Sequence, residues 1–246
     1  MNTKVCAKLI ALSFLMFGCN YQKTETKTEE PINKEIEIIS ETNELEVSLI
    51  SQGLVNIQSL DTSLIVDLKY STTENFFKQD VYGSLTRAYL QQIPAESLKR
   101  ANFLIQSINK DYRLLVFDAV RPLHIQEVLW NSLDSIPPNK RKNFISDPAD
   151  ESIHNYGCAV DLSVFDISKN EPLDMGTEFD HFGSLAYPRL ESEMLMQGKL
   201  TNKQLENRIL LRKVMILNGF QPITSEWWHF NFYSRKTAKK LHKIIK

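Results

Sequence analysis

Paired thiols are missing from this sequence. Its three cysteines stand at positions 6, 19 and 158 with no C-x-x-C spacing, which argues against a disulfide framework and against a thiolate zinc site. Any metal must then be held by histidine and carboxylate. An excess of one charge is missing too: 29 Lys and Arg stand against 30 Asp and Glu. Nothing electrostatic therefore calls for nucleic acid or a polyanionic partner, and a small neutral or zwitterionic substrate fits better. No internal repeat is visible. The apolar stretch over 9–17 is too short to cross a bilayer as a permanent helix.

That stretch has another use. Lys4 and Lys8 precede it and Gly18-Cys19 end it, the layout of a secretory signal over 1–19. A small residue before a cysteine resembles a bacterial lipobox, which implies lipidation at Cys19. An ordinary signal peptide cut near the same place is the other reading. Either way the folded part is expected outside the cytoplasm, in the periplasm or cell envelope, with the membrane engaged only through the N-terminal anchor. Residues 20–48 are rich in Thr, Glu and Lys with almost no aromatics, too little apolar surface to offset ordering entropy. They read as a flexible tether. The domain is expected over 49–246, a length sufficient for one core.

Within it, the residues predict a strand over 64–68 and then a loop over 70–90 with room to bind a ligand. A helix opens near Pro94 with Leu98, Ala101, Leu104, Ile105 and Ile108 on one face. A buried strand follows over 113–117, then a helix from Pro122 to about Leu133. A second strand over 157–164 alternates, with Val160, Leu162 and Val164 facing one way and Ala159, Asp161 and Ser163 the other. Thr201-x-x-Gln204 has the form of a capping box for a helix bearing Leu205, Ile209 and Ile216 and ending at Gly219. An aromatic strand spans 227–233. Strands separated by helices of unequal length predict an α+β fold, with helices flanking a mostly antiparallel or mixed central sheet.

A catalytic zinc needs three nitrogen or carboxylate ligands and one open position. His154 in a glycine-containing turn and Asp161 in the strand that follows supply two. Glu226-Trp227-Trp228-His229 supplies the third, His229, and a carboxylate three residues earlier. In a regular strand those two side chains point to opposite faces, so the pairing requires a bend at Glu226. A glutamate beside the metal can take a proton from water whose pKa zinc lowers toward ~7. Arg121, at a strand-to-helix junction, suits a guanidinium aimed at a developing oxyanion. Taken singly, each residue also fits a loop hydrogen bond, a structural aspartate or a surface arginine; the combination is what points to a metal site. His124, His181 and His242 have no partner at ligand spacing. Cys158 is expected on the Val160 side as a small buried thiol.

Three ordered motifs, Asp118-Ala119-Val120-Arg121-Pro122, Ser152-x-His154-x-x-Gly157-x-Ala159-x-Asp161 and Glu226-Trp227-Trp228-His229, resemble those of D-alanyl-D-alanine dipeptidases of the VanX type. That group belongs with zinc D-Ala-D-Ala carboxypeptidases and shares a fold with the hedgehog signalling domain. The likeness extends to Asp67-Leu68-Lys69-Tyr70, Asn75-Phe76, Tyr82-Gly83 and Asp174-Met175-Gly176-Thr177-x-Phe179-Asp180, over roughly 54–242. The resemblance implies one Zn2+ on His154, Asp161 and His229, with Glu226 as general acid and base. It implies Arg121 stabilising the tetrahedral intermediate and free D-Ala-D-Ala as substrate. Ser152, Tyr82, Asp118 and the loop from Tyr70 to Tyr82 are expected to hold the substrate. Val120 stands where a tyrosine is common, and Cys158 takes a small-residue position. The export signal fits cell-wall dipeptide turnover outside the cytoplasm. A D,D- or L,D-carboxypeptidase on longer wall peptides and a non-catalytic, lipid-anchored wall-peptide-binding module are the alternatives.

Overall fold

The structure is a computed structural model that describes residues 44–83, 85–142 and 144–246. The signal segment 1–19, Cys19 and residues 20–43 of the expected tether lie outside the described residues. The end of that tether does not: Glu44–Ser51 form a helix, α1, with Leu49 fully buried. Glu46 in the same helix pairs with Arg87 at 3.1 Å. Composition registers the polar richness of this stretch and not the buried leucine and ion pair that help dock it.

A mixed sheet carries the fold. Its strands are β2 (Ile65–Val66), β4 (Tyr112–Asp118), β5 (Ala159–Asp166), β8 (His229–Asn231) and β7 (Gln221–Pro222), adjacent in that order, with β6 (Glu171–Pro172) also on β5. β2 runs parallel to β4; the other pairs are antiparallel. β1 (Val55–Asn56) and β3 (Tyr89–Leu90) make a separate two-stranded ribbon. The parallel step exists because α2 (Gln92–Ile108) lies between β2 and β4 in sequence and packs on β4, the crossover a parallel pair needs. α2 buries Leu98, Ala101 and Ile105, as its spacing predicts, whereas Ile108 at its last turn is half exposed.

α3 (Leu123–Asn131) follows Pro122, whose fixed φ suits a helix entry. α4 (Asn202–Leu217) has the expected capping box in both directions: Gln204 N–H donates to Thr201 Oγ1 and Thr201 N–H donates to Gln204 Oε1. Its buried face differs from the expected one. Ile209 and Ile216 are exposed, while Leu211, Val214 and Met215 are buried together with Asn207 and Arg208. The polar pair is buried because it caps backbone carbonyls of the 174–180 segment, Asn207 on Asp174 O and Arg208 on Met175 O. A short basic helix, α5 (Arg235–Leu241), closes the chain.

β5 is the axis of the molecule. Val160, Leu162 and Val164 are fully buried in the main core, each contributing about 1.5–3 kcal/mol. Ala159, Asp161 and Ser163 lie on the opposite face and are also buried. Cys158 is buried, but in a small second cluster with Tyr156 and Ala238 rather than with Val160. It precedes the first strand residue, so the alternation that fixes Val160 does not reach it.

Candidate metal centre and its cavity

Register across three strands builds the site. Asp161 on β5 lies opposite His229 on β8 and opposite Asp118 on β4, the last after a shift of register between Val116 and Asp118. Directly opposed residues of paired strands share a face, so Asp118, Asp161 and His229 form one row. β8 begins only at His229. Glu226, Trp227 and Trp228 occupy the preceding bend, which is the geometry that Glu226 needs to stand beside His229.

His154 arrives from outside the sheet. It sits in a one-turn helix, Ile153–Tyr156, capped by Ser152. Asn155 accepts from the Ser152 N–H and donates to Arg121 O. Arg121 N–H donates in turn to His154 O, so the two motif segments are stapled together. Gly157 ends this turn at φ +64; a Cβ there would lie 2.5 Å from Leu54 Cδ2. Glycine is required by both the left-handed backbone and the close approach.

The three expected ligands converge. His154 Nε2 is 3.2 Å from His229 Nδ1 and 3.4 Å from Asp161 Oδ2, and His229 Nδ1 is 2.9 Å from Asp161 Oδ1. Donors ~2.1 Å from a tetrahedral zinc stand ~3.4 Å apart, close to these separations. The outer ring nitrogens are committed as well. His154 Nδ1 meets Ala119 O, which can only accept, and His229 Nε2 meets Asn231 Oδ1. Those bonds leave Nε2 of His154 and Nδ1 of His229 as the inward atoms, the outer-shell arrangement that orients metal-binding imidazoles. Two imidazoles and a carboxylate suit a divalent ion of zinc type.

Charge is balanced without the ion. Burial would lower the pKa of His229, but the charge and hydrogen bond of Asp161, with Glu226 beyond, outweigh it and push it up to about 9. Burial would raise the pKa of Asp161, and the two histidines more than reverse that, holding it below the carboxylate range. Metal-free His229 thus donates through both nitrogens, and a metal must displace the proton on Nδ1.

A cavity of about 180 Å³ opens on these donors. Ser152, Arg121, Glu226 and Trp228 line it, as do Tyr70, Asp180, Asn231 and Arg235. Glu226 Oε2 is 3.8 Å from His229 Nδ1. Burial raises the Glu226 pKa and Asp161 adds to this, with His229 opposing. Arg121 donates through Nε and Nη2 to Asp118 Oδ2, at 3.0 and 2.6 Å, and through Nη1 to Gln126 Oε1. The same guanidinium lies over the Tyr70 ring, 5.2 Å from its centre. Two expected substrate contacts are placed elsewhere: Asp118 is fully buried behind Arg121, and Tyr82 donates to Asp118 Oδ1 at 2.7 Å. Both position the arginine. Among the described residues of the expected binding loop only Tyr70 lines the cavity, donating to Asp180 Oδ2 at 2.8 Å.

Sequence reasoning left out Asp180, Asn231 and Gln126. Asn231 had a signal, being two residues from His229 and so on the same strand face. Asp180 ends one of the motifs quoted above. It takes a left-handed backbone, φ 58, and burial raises its carboxyl pKa well above the usual range, with Asp161 and Glu226 adding to this. Gln126 is one polar residue among several in α3 and had no signal.

The family described as D-Ala-D-Ala dipeptidase, Peptidase_M15, matches residues 50–246. The chain belongs to this family. Its relatives include the D-alanyl-D-alanine dipeptidase of Escherichia coli, 30% identical over 179 residues that cover 72% of this chain and 83% of the relative. The enzyme of the same name from Enterococcus faecium is 30% identical over 177 residues, 67% and 83% of the two chains. Among solved structures, the LD-carboxypeptidase LdcB aligns with a TM-score of 0.40 and 19% identity, over 77% of this chain and 72% of its own. As a member of the D-Ala-D-Ala dipeptidase family the chain is a peptidase with an α+β fold, and its family ties lie with peptidoglycan-related D-Ala-D-Ala hydrolysis.

Proposed function

We propose that the chain is a zinc-dependent dipeptidase that hydrolyses free D-Ala-D-Ala outside the cytoplasm, in cell-wall dipeptide turnover, from a lipid anchor at Cys19. The observation that carries the reading is the convergence of His154, Asp161 and His229 with Glu226 held beside them and not among them. The N-terminal segment 1–19 is the support for export and anchoring.

Zinc held by the three donors supplies a Lewis acid and lowers the pKa of water toward ~7. Glu226 takes a proton from the attacking water and delivers it to the leaving amine. A raised pKa suits it, since the carboxyl must hold that proton midway through the reaction. Arg121 presents its free N–H groups to the scissile carbonyl oxygen as negative charge develops there. Asp118, Gln126 and Tyr82 fix the plane of that guanidinium beforehand, so little reorganisation is needed. Asp180 receives the substrate ammonium, which restores the carboxylate charge that burial disfavours. Ser152 and Arg235 lie where the substrate carboxylate ends. Trp228, nearly fully buried, keeps bulk water from the proton transfer.

The test is metal analysis of the purified protein together with hydrolysis of D-Ala-D-Ala with and without chelator. One zinc per chain and chelator-sensitive release of D-alanine are expected. Full activity in the metal-free protein would end the proposal.

A further inference from the structure

The near-zero charge balance of the whole chain conceals one segregated end. Residues 235–246 hold Arg235, Lys236, Lys239, Lys240, Lys243 and Lys246 and no acid. Lys239 pairs with Glu151 at 2.7 Å. Lys236, Lys240, Lys243 and Lys246 are exposed and make no ion pair among the described residues. They stand on an ordered segment. His242 stacks on the Tyr233 ring and Ile245 is buried. Ile245 N–H donates to Asn155 O, and Leu123 N–H donates to Ile245 O. Cations presented from a fixed backbone lose little freedom on meeting an opposite charge.

Apolar side chains share this surface. A cleft of about 430 Å³ brings Ser51 and Gln52, at the end of α1, together with Leu241, His242 and Lys243, at the end of α5. Leu241 is 54% exposed. On α1, Val47 lies one turn before Ser51 on the same face with Ile50 beside it, and both are more than half exposed. Glu44 is the exposed acid of that helix, whereas Glu46 is buried and paired with Arg87. Exposed aliphatic groups set among unpaired lysines suit an anionic bilayer, with the lysines at the headgroup phosphates and the aliphatic groups just beneath. A soluble polyanion would leave the aliphatic groups without a partner.

α1 is also where the N-terminal part of the chain arrives. Residues 20–43 join Cys19 to Glu44 and can span at most ~85 Å. A lipid at Cys19 confines α1 to that distance from a bilayer, so a contact too weak to hold free protein suffices for the anchored one.

We propose that the surface formed by α1 and the C-terminal segment 236–246 docks on the anionic bilayer that holds the lipid anchor. The proposal rests on the anchor reading for its partner and not on the dipeptidase chemistry. Arg235, the first residue of α5, lines the cavity at the three donors, and Leu241, the last, lines the cleft. Docking therefore fixes how the mouth of that cavity stands relative to the membrane.

The experiment is cosedimentation of the lipid-free chain from Asn20 onward, which keeps the whole compact unit 42–246. The vesicles are equal parts phosphatidylglycerol and phosphatidylcholine, or phosphatidylcholine alone. Preference for the anionic vesicles is expected. A lysine near such a surface contributes about fivefold in partitioning, so the triple variant Lys240→Gln, Lys243→Gln, Lys246→Gln should bind on the order of a hundredfold more weakly. The double variant Val47→Ser, Leu241→Ser should lose about tenfold, with melting of both unchanged. Parental binding by the lysine variant, or equal binding to neutral and anionic vesicles, overturns the proposal. So does equally strong binding to soluble polyphosphate that the double variant retains, which would make the surface a site for an anionic polymer. Where a variant melts below the parent, the parent's salt series decides: binding that does not weaken between ~0.1 and ~0.5 M salt overturns the proposal. The anchor is tested apart, by the mass of the N-terminal peptide of protein extracted from membranes, so the two readings can fail separately.

Discussion

Asn231→Leu isolates the part of the site that holds a ligand without touching the metal. Asn231 Oδ1 lies 2.9 Å from His229 Nε2, and that bond keeps Nδ1 pointed at Asp161 and His154. Leucine has the same branching and number of heavy atoms, is somewhat bulkier, and has no acceptor, so the position stays filled while the imidazole loses its outer partner. A neutral hydrogen bond of this kind contributes about 0.5–1.5 kcal/mol, and outer-shell partners of metal-bound histidines change affinity by ~10–100-fold. The expected result is a zinc Kd raised about tenfold, read by competition with a chromophoric chelator. Asn231→Asp should move it the other way, because a carboxylate makes the imidazole a better donor. Melting of the chelated proteins separates a weakened site from a weakened fold. A zinc Kd within twofold of the parent in Asn231→Leu would show that Nδ1 of His229 is not oriented by Asn231, and the tautomers given above would be wrong.

Glu226→Ala should keep one zinc per chain, by elemental analysis, while kcat for D-Ala-D-Ala falls ~10²–10⁴-fold; parental turnover would remove Glu226 from the chemistry. Metal-free His229 titrates at about 9 against an ordinary value of ~6.5. The stability it draws from Asp161 is therefore complete below pH ~6.5 and is lost as pH rises through about 9. Melting of the chelated protein should fall across that window, while zinc affinity rises by up to ~tenfold per pH unit as the competing proton leaves; a flat series in both would refute the pairing. The Cys158 thiol is pushed up to about 12 by burial. Iodoacetamide at pH 8 should leave the Cys158 peptide unmodified in the native protein and label it only on unfolding, as mass spectrometry of digests would show.

Much of this molecule is legible in its sequence because local rules dictate it. Alternation along 157–164 places Asp161 opposite the apolar face, and the residues of β5 bear this out. Pro94 and Pro122 mark where two helices open, and Thr201 with Gln204 caps a third. The candidate ligands are legible because few side chains can hold a divalent ion, and His154, Asp161 and His229 come with a carboxylate and an arginine in motif order. Composition failed at α1, where a buried leucine and a buried glutamate paired with Arg87 dock an otherwise polar stretch. It failed again on α4, where the buried face includes an asparagine and an arginine that serve carbonyls from another segment.

What only the tertiary structure decided is which polar residues face the cavity and which stand behind it. Asp118 belongs to the same motif as Arg121, and Tyr82 to another of those quoted, yet the register shift at Val116 and Asp118 turns Asp118 into the arginine's support, with Tyr82 as its partner. Asp180 reaches the site because segment 174–180 is tied down by α4 and by Trp227, whose Nε1–H donates to Thr177. The cavity at the three donors depends on segments 144–146, 152–154 and 226–231 meeting in space. Spacing along the chain names side chains and their local direction, whereas burial and enclosure arise from contacts between residues far apart in sequence, and no local period encodes those.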